Sequence, residues 1–324
     1  MQDEDETRFR ELLTAAGDEG VHIVSAAGPE SVAAAALLAK ALTRAGVARI
    51  GTTVLGFGER VDSPTTRSWL AGVNALLVVG LGGRAPGTMP QCSIDETDDE
   101  PIAARAFRLG ESIASLGDVT WLAAVGLLER APSHVLVERA RFRHEHADPV
   151  EIAALLDAAA RGPEPALESL NALEMLAGSP TPRHFLDSVP AEVLRRTRTL
   201  VFAELARATR VRPRPGFGVV VVEYDSACHL EDLVAARWRG LRAGTVVLVA
   251  NHGAVDGCVA VTAKSTMRES VEARLGSLRA ALADEGTTLL DPEAWASLRE
   301  RLGVAPAPIE RGDDAAFELS ALPN

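Results

Sequence analysis

The sequence predicts an α/β protein: a doubly wound, mainly parallel sheet, then a helical connector, then a smaller C-terminal α/β domain. Three observations carry this expectation. Strand and helix signals alternate through the first part of the chain, the pattern of a parallel sheet built by crossovers. From about Ile102 to Ala208 the signal is helical, until Arg212-Pro213-Arg214-Pro215-Gly216 punctuates the chain. At 324 residues, the length exceeds what one core usually organises.

Val21-His22-Ile23-Val24-Ser25 is a short apolar run, and Ser31 to Ala45 follows as an Ala/Leu-rich helix. Ile50 to Phe57 is a second strand and Ser63 to Leu70 a helix. Leu76-Leu77-Val78-Val79 is continuously apolar, as a strand covered on both faces should be. Right-handed crossovers place the loops after these strands on one edge of the sheet, where such folds keep their sites. Gly162-Pro163 and Ser179-Pro180-Thr181-Pro182 break the helical region. Beyond the punctuation, Val219–Val222 reads as a strand, Leu230 to Leu241 as a helix, and Thr245–Ala250 and Gly257–Thr262 as two further strands. The expected domains are therefore 1–150, a connector over 151–210, and 211–324.

Composition narrows the function classes. Hydrophobic residues make up 47% and charged residues 24%, an ordinary globular balance. No apolar run approaches the ~20 residues a membrane span needs, and the acidic start Met1-Gln2-Asp3-Glu4-Asp5-Glu6 is unlike a signal peptide. A cytoplasmic protein with no membrane contact is expected. Cys92, Cys228 and Cys258 are scattered, which argues against a disulfide framework or a structural zinc site. The net charge of −12 repels nucleic acid on average, so DNA contact requires a local basic patch. Lys40 and Lys264 are the only lysines. GC-rich coding or a salt-adapted proteome would each produce this arginine bias, which reads as background rather than mechanism.

One such patch is Arg195, Arg196, Arg198, Arg207, Arg210, Arg212 and Arg214. It could follow the phosphates of single-stranded DNA or meet an acidic partner, or it could be a solvated, ion-paired helix face. Gly80-Leu81-Gly82-Gly83-Arg84 follows a strand and could cradle a phosphate, with Arg84 as a forked donor. It lacks the spacing of a dinucleotide fingerprint and the lysine of a Walker loop. His144-Glu145-His146, near Asp148, is a compact set of metal-ligand types; in an extended segment both histidines would share one side. Arg141 and Arg143 immediately before it favour a charged loop instead. His252, after a strand end, reads as an exposed turn residue.

The stretch Ser25-Ala26-Ala27-Gly28-Pro29-Glu30-Ser31 and the Ala-rich helix after it resemble the opening of the DHH phosphoesterase superfamily, which includes RecJ-type exonucleases. In that family a strand runs into S-H-x-D-x-D-G and such a helix. Here Ala26 stands in the histidine's place, Gly28 in that of the first aspartate, and Glu30 in that of the second. The third strand ends Val79-Gly80-Leu81-Gly82, with Gly80 where the resemblance expects aspartate. Ile94-Asp95-Glu96-Thr97 matches the position of the name-giving D-H-H triplet, of which only Asp95 survives. Ala123-Ala124-Val125-Gly126 resembles the last Gly-plus-acid helix, with Glu129 one residue short of the acid. The second domain resembles the DHH-associated domain, with Val259–Ser265 at its S-x-R-S-like strand. The expected G-G-G-H loop is replaced by Thr266-Met267-Arg268-Glu269, read as a helix start.

Two-metal phosphoester hydrolysis needs several carboxylates and imidazoles converging on two cations ~3.5–4 Å apart. Ala26, Gly28 and Gly80 offer no ligand. Asp95, Glu30 and Glu129 would hold at most one weakly bound cation; manganese or magnesium would be the metal if activity remained. The resemblance thus implies a catalytically degenerate RecJ-like protein acting as a binding or scaffold subunit in DNA replication or repair. Archaeal and eukaryotic RecJ-like proteins are partners of the MCM helicase and the GINS complex, which makes those the implied partners. The alternatives are a metal-dependent single-strand exonuclease or small-phosphoester hydrolase with a rearranged site, and a plain single-stranded nucleic-acid binder.

Overall fold

A computed structural model describes residues 2–82, 89–97, 100–145, 147–239, 246–265 and 287–306. The chain divides into two compact units, 1–198 and 199–324. The division falls inside one long helix, Val189–Ala208.

The first unit is built on four parallel strands: β1 (Val21–Ala26), β2 (Ile50–Leu55), β3 (Leu76–Val79) and β4 (Gln91–Ile94), in the order β2-β1-β3-β4. Val24 pairs with Thr53 on one side and Val78 on the other, and Val79 pairs with Ile94. All four β3 residues are fully buried, because the sheet is covered on both faces. Leu77 and Val79 join the larger core, while Leu76 and Val78 pack with Val24, Leu55, Val61 and Leu70 on the opposite face. This is the expected α/β arrangement.

Helix α1 (Gln2–Ala16) brings Asp5 within 2.7 Å of Arg105 and 3.5 Å of Arg108. The acidic start therefore docks on α4 (Ile102–Glu111) through ion pairs. Helix α2 (Pro29–Arg44) lies at the centre of the larger core, against α4, α5 (Thr120–Leu127) and the sheet. A helix buried on every side must be apolar on every side, and Val32 to Ala39 meets that requirement with small residues that let neighbours come close. Helix α3 (Pro64–Trp69) starts where the sequence places it, with Ser63 accepting the Thr66 N–H at 3.2 Å. The helices α6 (Val135–Arg141), α7 (Ala147–Arg161), α8 (Pro165–Gly178), α9 (Pro182–Leu186) and the beginning of α10 (Val189–Ala208) follow. Ile152, Leu156, Leu173, Phe185 and Leu194 from this stretch pack into the same core as α2. Lys40 donates to the carbonyls of Ala177 and Ser179 at 2.8 Å each. A cation there satisfies carbonyls that the end of α8 leaves over.

The second unit carries a five-stranded sheet, β5 (Arg214–Pro215), β6 (Val219–Tyr224), β7 (Val246–Asn251), β8 (Val259–Lys264) and β9 (Thr287–Leu290), in that order. Strands β6 and β7 are parallel, joined through α11 (Glu231–Arg239); the other pairs are antiparallel. Alternation along the strands feeds two cores. Val219, Val221 and Leu248 pack under Trp295 and Leu298 of α12 (Pro292–Arg301), while Val222, Tyr224 and Val249 face Val201, Val234 and Ala235. Trp238, partly buried, packs beside this second core. Strands β5 and β9 are absent from the sequence expectation. The first is two residues long and includes a proline, confined to the sheet edge because it cannot donate. The second is half-buried along its length. Residues 266–269, read as a helix start, lie outside the described residues.

No helix among the described residues is long and apolar enough to cross a membrane. Cys92 and Cys228 are buried and Cys258 partly so. Burial pushes the Cys92 thiol up to about 11, so it is an unreactive packing residue.

Candidate functional site

Strand order locates the crevice. The chain leaves β1 for β2 on one side and reaches β3 on the other, so the two diverging loops open a gap at the C-terminal ends of β1 and β3. Ala26-Ala27-Gly28 follows β1, and Gly80-Leu81-Gly82 follows β3. Asp95 and Glu96 come from the end of β4, and Gly126 to Arg130 from the end of α5. The first unit thus brings the resemblance-derived positions Ala26, Gly28, Glu30, Gly80, Asp95, Glu96, Thr97 and Glu129 to one sheet edge.

Glu30, Asp95 and Thr97 each have a structural partner there. Gly28 caps α2 at φ +136, a conformation open chiefly to glycine. The Glu30 Oε1 atom accepts the backbone N–H of Ala103 at 3.4 Å. Pro101, at the N-cap of α4, supplies no side-chain cap, so Glu30 performs that task from another helix. Burial raises the Glu30 carboxyl above its ordinary value, opposed by the α4 N–H groups and by Arg130. Gly80 sits at φ +69, and a β-carbon on it would collide with Ser31 Oγ. Its N–H donates to the Ile94 carbonyl at 3.0 Å. Asp95 Oδ1 accepts the Gly82 N–H at 2.9 Å, while its carbonyl accepts from Arg105 at 3.2 Å. Thr97 Oγ1 accepts the Glu100 N–H at 3.1 Å and closes a turn. Gly126 lets α5 approach the backbone of Glu30, because a β-carbon there would lie 3.3 Å from the Glu30 Cα.

Beside Glu30 lies a cavity of about 690 Å³ lined by Gly28, Ser31, Gly126, Glu129, Arg130 and Asp157 among others. Arg130 forms an ion pair with Glu96, and its guanidinium is further favoured by the fields of Glu30 and Glu129. Asp157 is engaged by Arg161 at 2.9 Å. Among the described residues lining this cavity, the basic side chain is Arg130. The described residues do not fit a two-metal centre: Ala26, Gly28 and Gly80 carry no side-chain donor, Glu30 is turned to a helix terminus, and Glu96 is paired with Arg130. No group of three or more His, Cys, Asp or Glu residues able to hold a metal occurs among the described residues. Arg130 and Asp157 carry no motif signal, and only their position in the fold brings them to the cavity.

The remaining sequence candidates are placed as follows. Gly83 and Arg84 lie outside the described residues, as does His146. His144 is in a turn, its N–H bonded to the Ala140 carbonyl at 3.0 Å. Helix α6 runs to Arg141 and its last turn carries the chain round to His144. The connector arginines are largely paired. Arg198 meets Glu151 at 2.7 Å, Arg195 meets Glu192 at 3.5 Å, and Arg196 meets Glu192 at 3.6 Å. Arg207 meets Glu204 at 2.6 Å. Arg210 and Arg212 are exposed.

In the second unit, His252 is not the exposed turn residue expected. Its ring lies 3.4 Å from the buried Glu223, which also accepts from Trp295 Nε1 at 2.7 Å and Arg299 at 3.3 Å and pairs with Arg214. Asn251 holds the neighbouring loop, donating to Cys228 O and Glu231 Oε1 at 2.9 Å each. A substituent on Gly253 would strike Asp225. This cluster ties α12 and β5 to the sheet.

A scan against protein-family models and a search of curated proteins both find no match. Solved structures do match. An exonuclease RecJ bound to manganese aligns over 92% of this chain and 93% of its own, with TM-score 0.65 and 16% identity. A DHH domain from a member of a family of ribosomal proteins aligns over 94% and 92%, with TM-score 0.58 and 11% identity. CDC45 from Entamoeba histolytica aligns over 92% and 98%, with TM-score 0.53 and 9% identity. At these identities the likeness concerns the fold, which is the RecJ-like DHH architecture.

Proposed function

We propose that this chain, with its RecJ-like DHH fold, acts by binding rather than by hydrolysis, as a scaffold subunit in DNA replication or repair that associates with GINS and MCM-type replisome proteins. The observation that carries the first half is Arg130. A guanidinium paired with Glu96 and set near Glu30 and Glu129 supplies the positive charge that a metal would otherwise bring, but it cannot activate water. A metal ion lowers the pKa of bound water and clamps the phosphoryl oxygens; an arginine does neither. The likeness of fold to CDC45 supports the partner class by analogy.

The experiment is a capture from native extract with the full chain as bait. Recovery of GINS or MCM components is expected, and it should survive Glu30→Gln and Arg130→Met. A capture that recovers neither would count against the replisome assignment while leaving the metal-free site unaffected.

A further inference from the structure

Away from the sheet edge, α8 and the first turns of α10 enclose a groove of about 450 Å³. Its floor includes Leu194, 2% exposed, and the partly buried Met175. Its rim carries Val189 and Val193, 78% and 44% exposed. Two carboxylates, Glu168 and Glu174, line the α8 side, and no basic side chain among the described residues lines the groove. Glu168 Oε1 accepts the Thr197 hydroxyl at 2.8 Å, whereas Oε2 is shielded from water without a hydrogen-bond partner among the described residues. Two carboxylates with no basic side chain beside them along the groove favour a cationic partner surface. Burial holds the Glu168 carboxyl above its ordinary value, opposed by the Thr197 hydroxyl.

We propose that this groove docks an amphipathic helix from a partner protein, apolar on one side and bearing two basic residues. Val189 and Val193 are one helical turn apart and would meet its apolar stripe, the usual helix-in-groove arrangement. Glu168 and Glu174 are six residues apart on α8, a rise of about 9 Å, so the partner's basic residues should be separated by roughly two turns. The groove lies wholly on α8 and α10, and the proposal is independent of the Arg130 site.

The test uses the full chain and two labelled synthetic helical peptides with the same Ala/Leu residues. One carries Lys and the other Glu at two positions about two turns apart. Fluorescence anisotropy should show the Lys peptide bound and the Glu peptide at least about tenfold weaker. Val193→Asp and Glu174→Lys should each weaken the Lys peptide by about tenfold, and Glu174→Lys should improve the Glu peptide. Val193 and Glu174 sit at the rim, so circular dichroism of both variants should match the parent. Equal binding of the two peptides, no binding of the Lys peptide, or unchanged binding by folded variants would overturn the proposal. Self-association of the free chain that Val193→Asp abolishes would assign the groove to a second copy and overturn it equally.

Discussion

The carboxylate of Glu30, at the head of α2, accepts the Ala103 N–H at the head of α4. A residue placed by the family frame among metal ligands thus caps a helix. Removing a cap costs about 0.5–2 kcal/mol, so Glu30→Ala should lower the urea midpoint accordingly, and Glu30→Gln, which keeps an acceptor, should cost less. Burial holds the folded carboxyl above its ordinary 4.5. The folded chain therefore binds this proton more tightly than the unfolded chain. Its stabilising contribution is complete below about 4.5 and is lost as pH rises through the folded value. Urea melts from pH 4 to pH 8 should show the parent losing ground to Glu30→Gln as pH rises. A parent that instead gains on the variant would refute this placement of Glu30.

Restoring an aspartate at position 80 should not restore a metal site. Gly80 has φ +69 and faces Ser31 Oγ, so Gly80→Asp strains the backbone and overpacks the turn, at about 1–3 kcal/mol. Thermal melts with and without manganese chloride check it. A lowered midpoint that manganese leaves unchanged is the expected pair of results.

Arg130 is nearly half exposed, as is its partner Glu96, 46% each. Exposed pairs contribute about 0–1 kcal/mol. Arg130→Met should therefore shift stability by less than about 1 kcal/mol, and added salt should shrink the difference. A much larger loss would show the arginine to be a structural keystone.

What could be read in advance and what could not follow from the range of the forces involved. β3 was legible because Leu76–Val79 is buried on both faces, and burial on both faces leaves a continuous apolar run. The helix starting near Ser63 was legible because helix-start signals are local. The missing donors at Ala26, Gly28 and Gly80 were legible once the frame was aligned. The tasks of Glu30, Arg130 and Asp157 were not. Glu30 depends on a neighbour 73 residues away, and the other two on a cavity wall assembled from separate helices. The same holds for Glu223, whose partners Arg214, Trp295 and Arg299 come from distant segments.

The connector arginines give a further check. Arg195, Arg196 and Arg198 are already paired with Glu151 and Glu192. Neutralising all three to Gln should change single-stranded DNA affinity by less than about threefold. Three true phosphate contacts would instead lower the slope of log affinity against log salt by about 2. Titrations at several salt concentrations separate the two cases.

The most direct measurement is a nuclease assay on single-stranded DNA and a small phosphodiester, with manganese and magnesium titrated and Asp95→Ala run beside the parent. No metal-dependent hydrolysis above that of Asp95→Ala is the predicted result. Manganese-dependent turnover that vanishes in Asp95→Ala would contradict it.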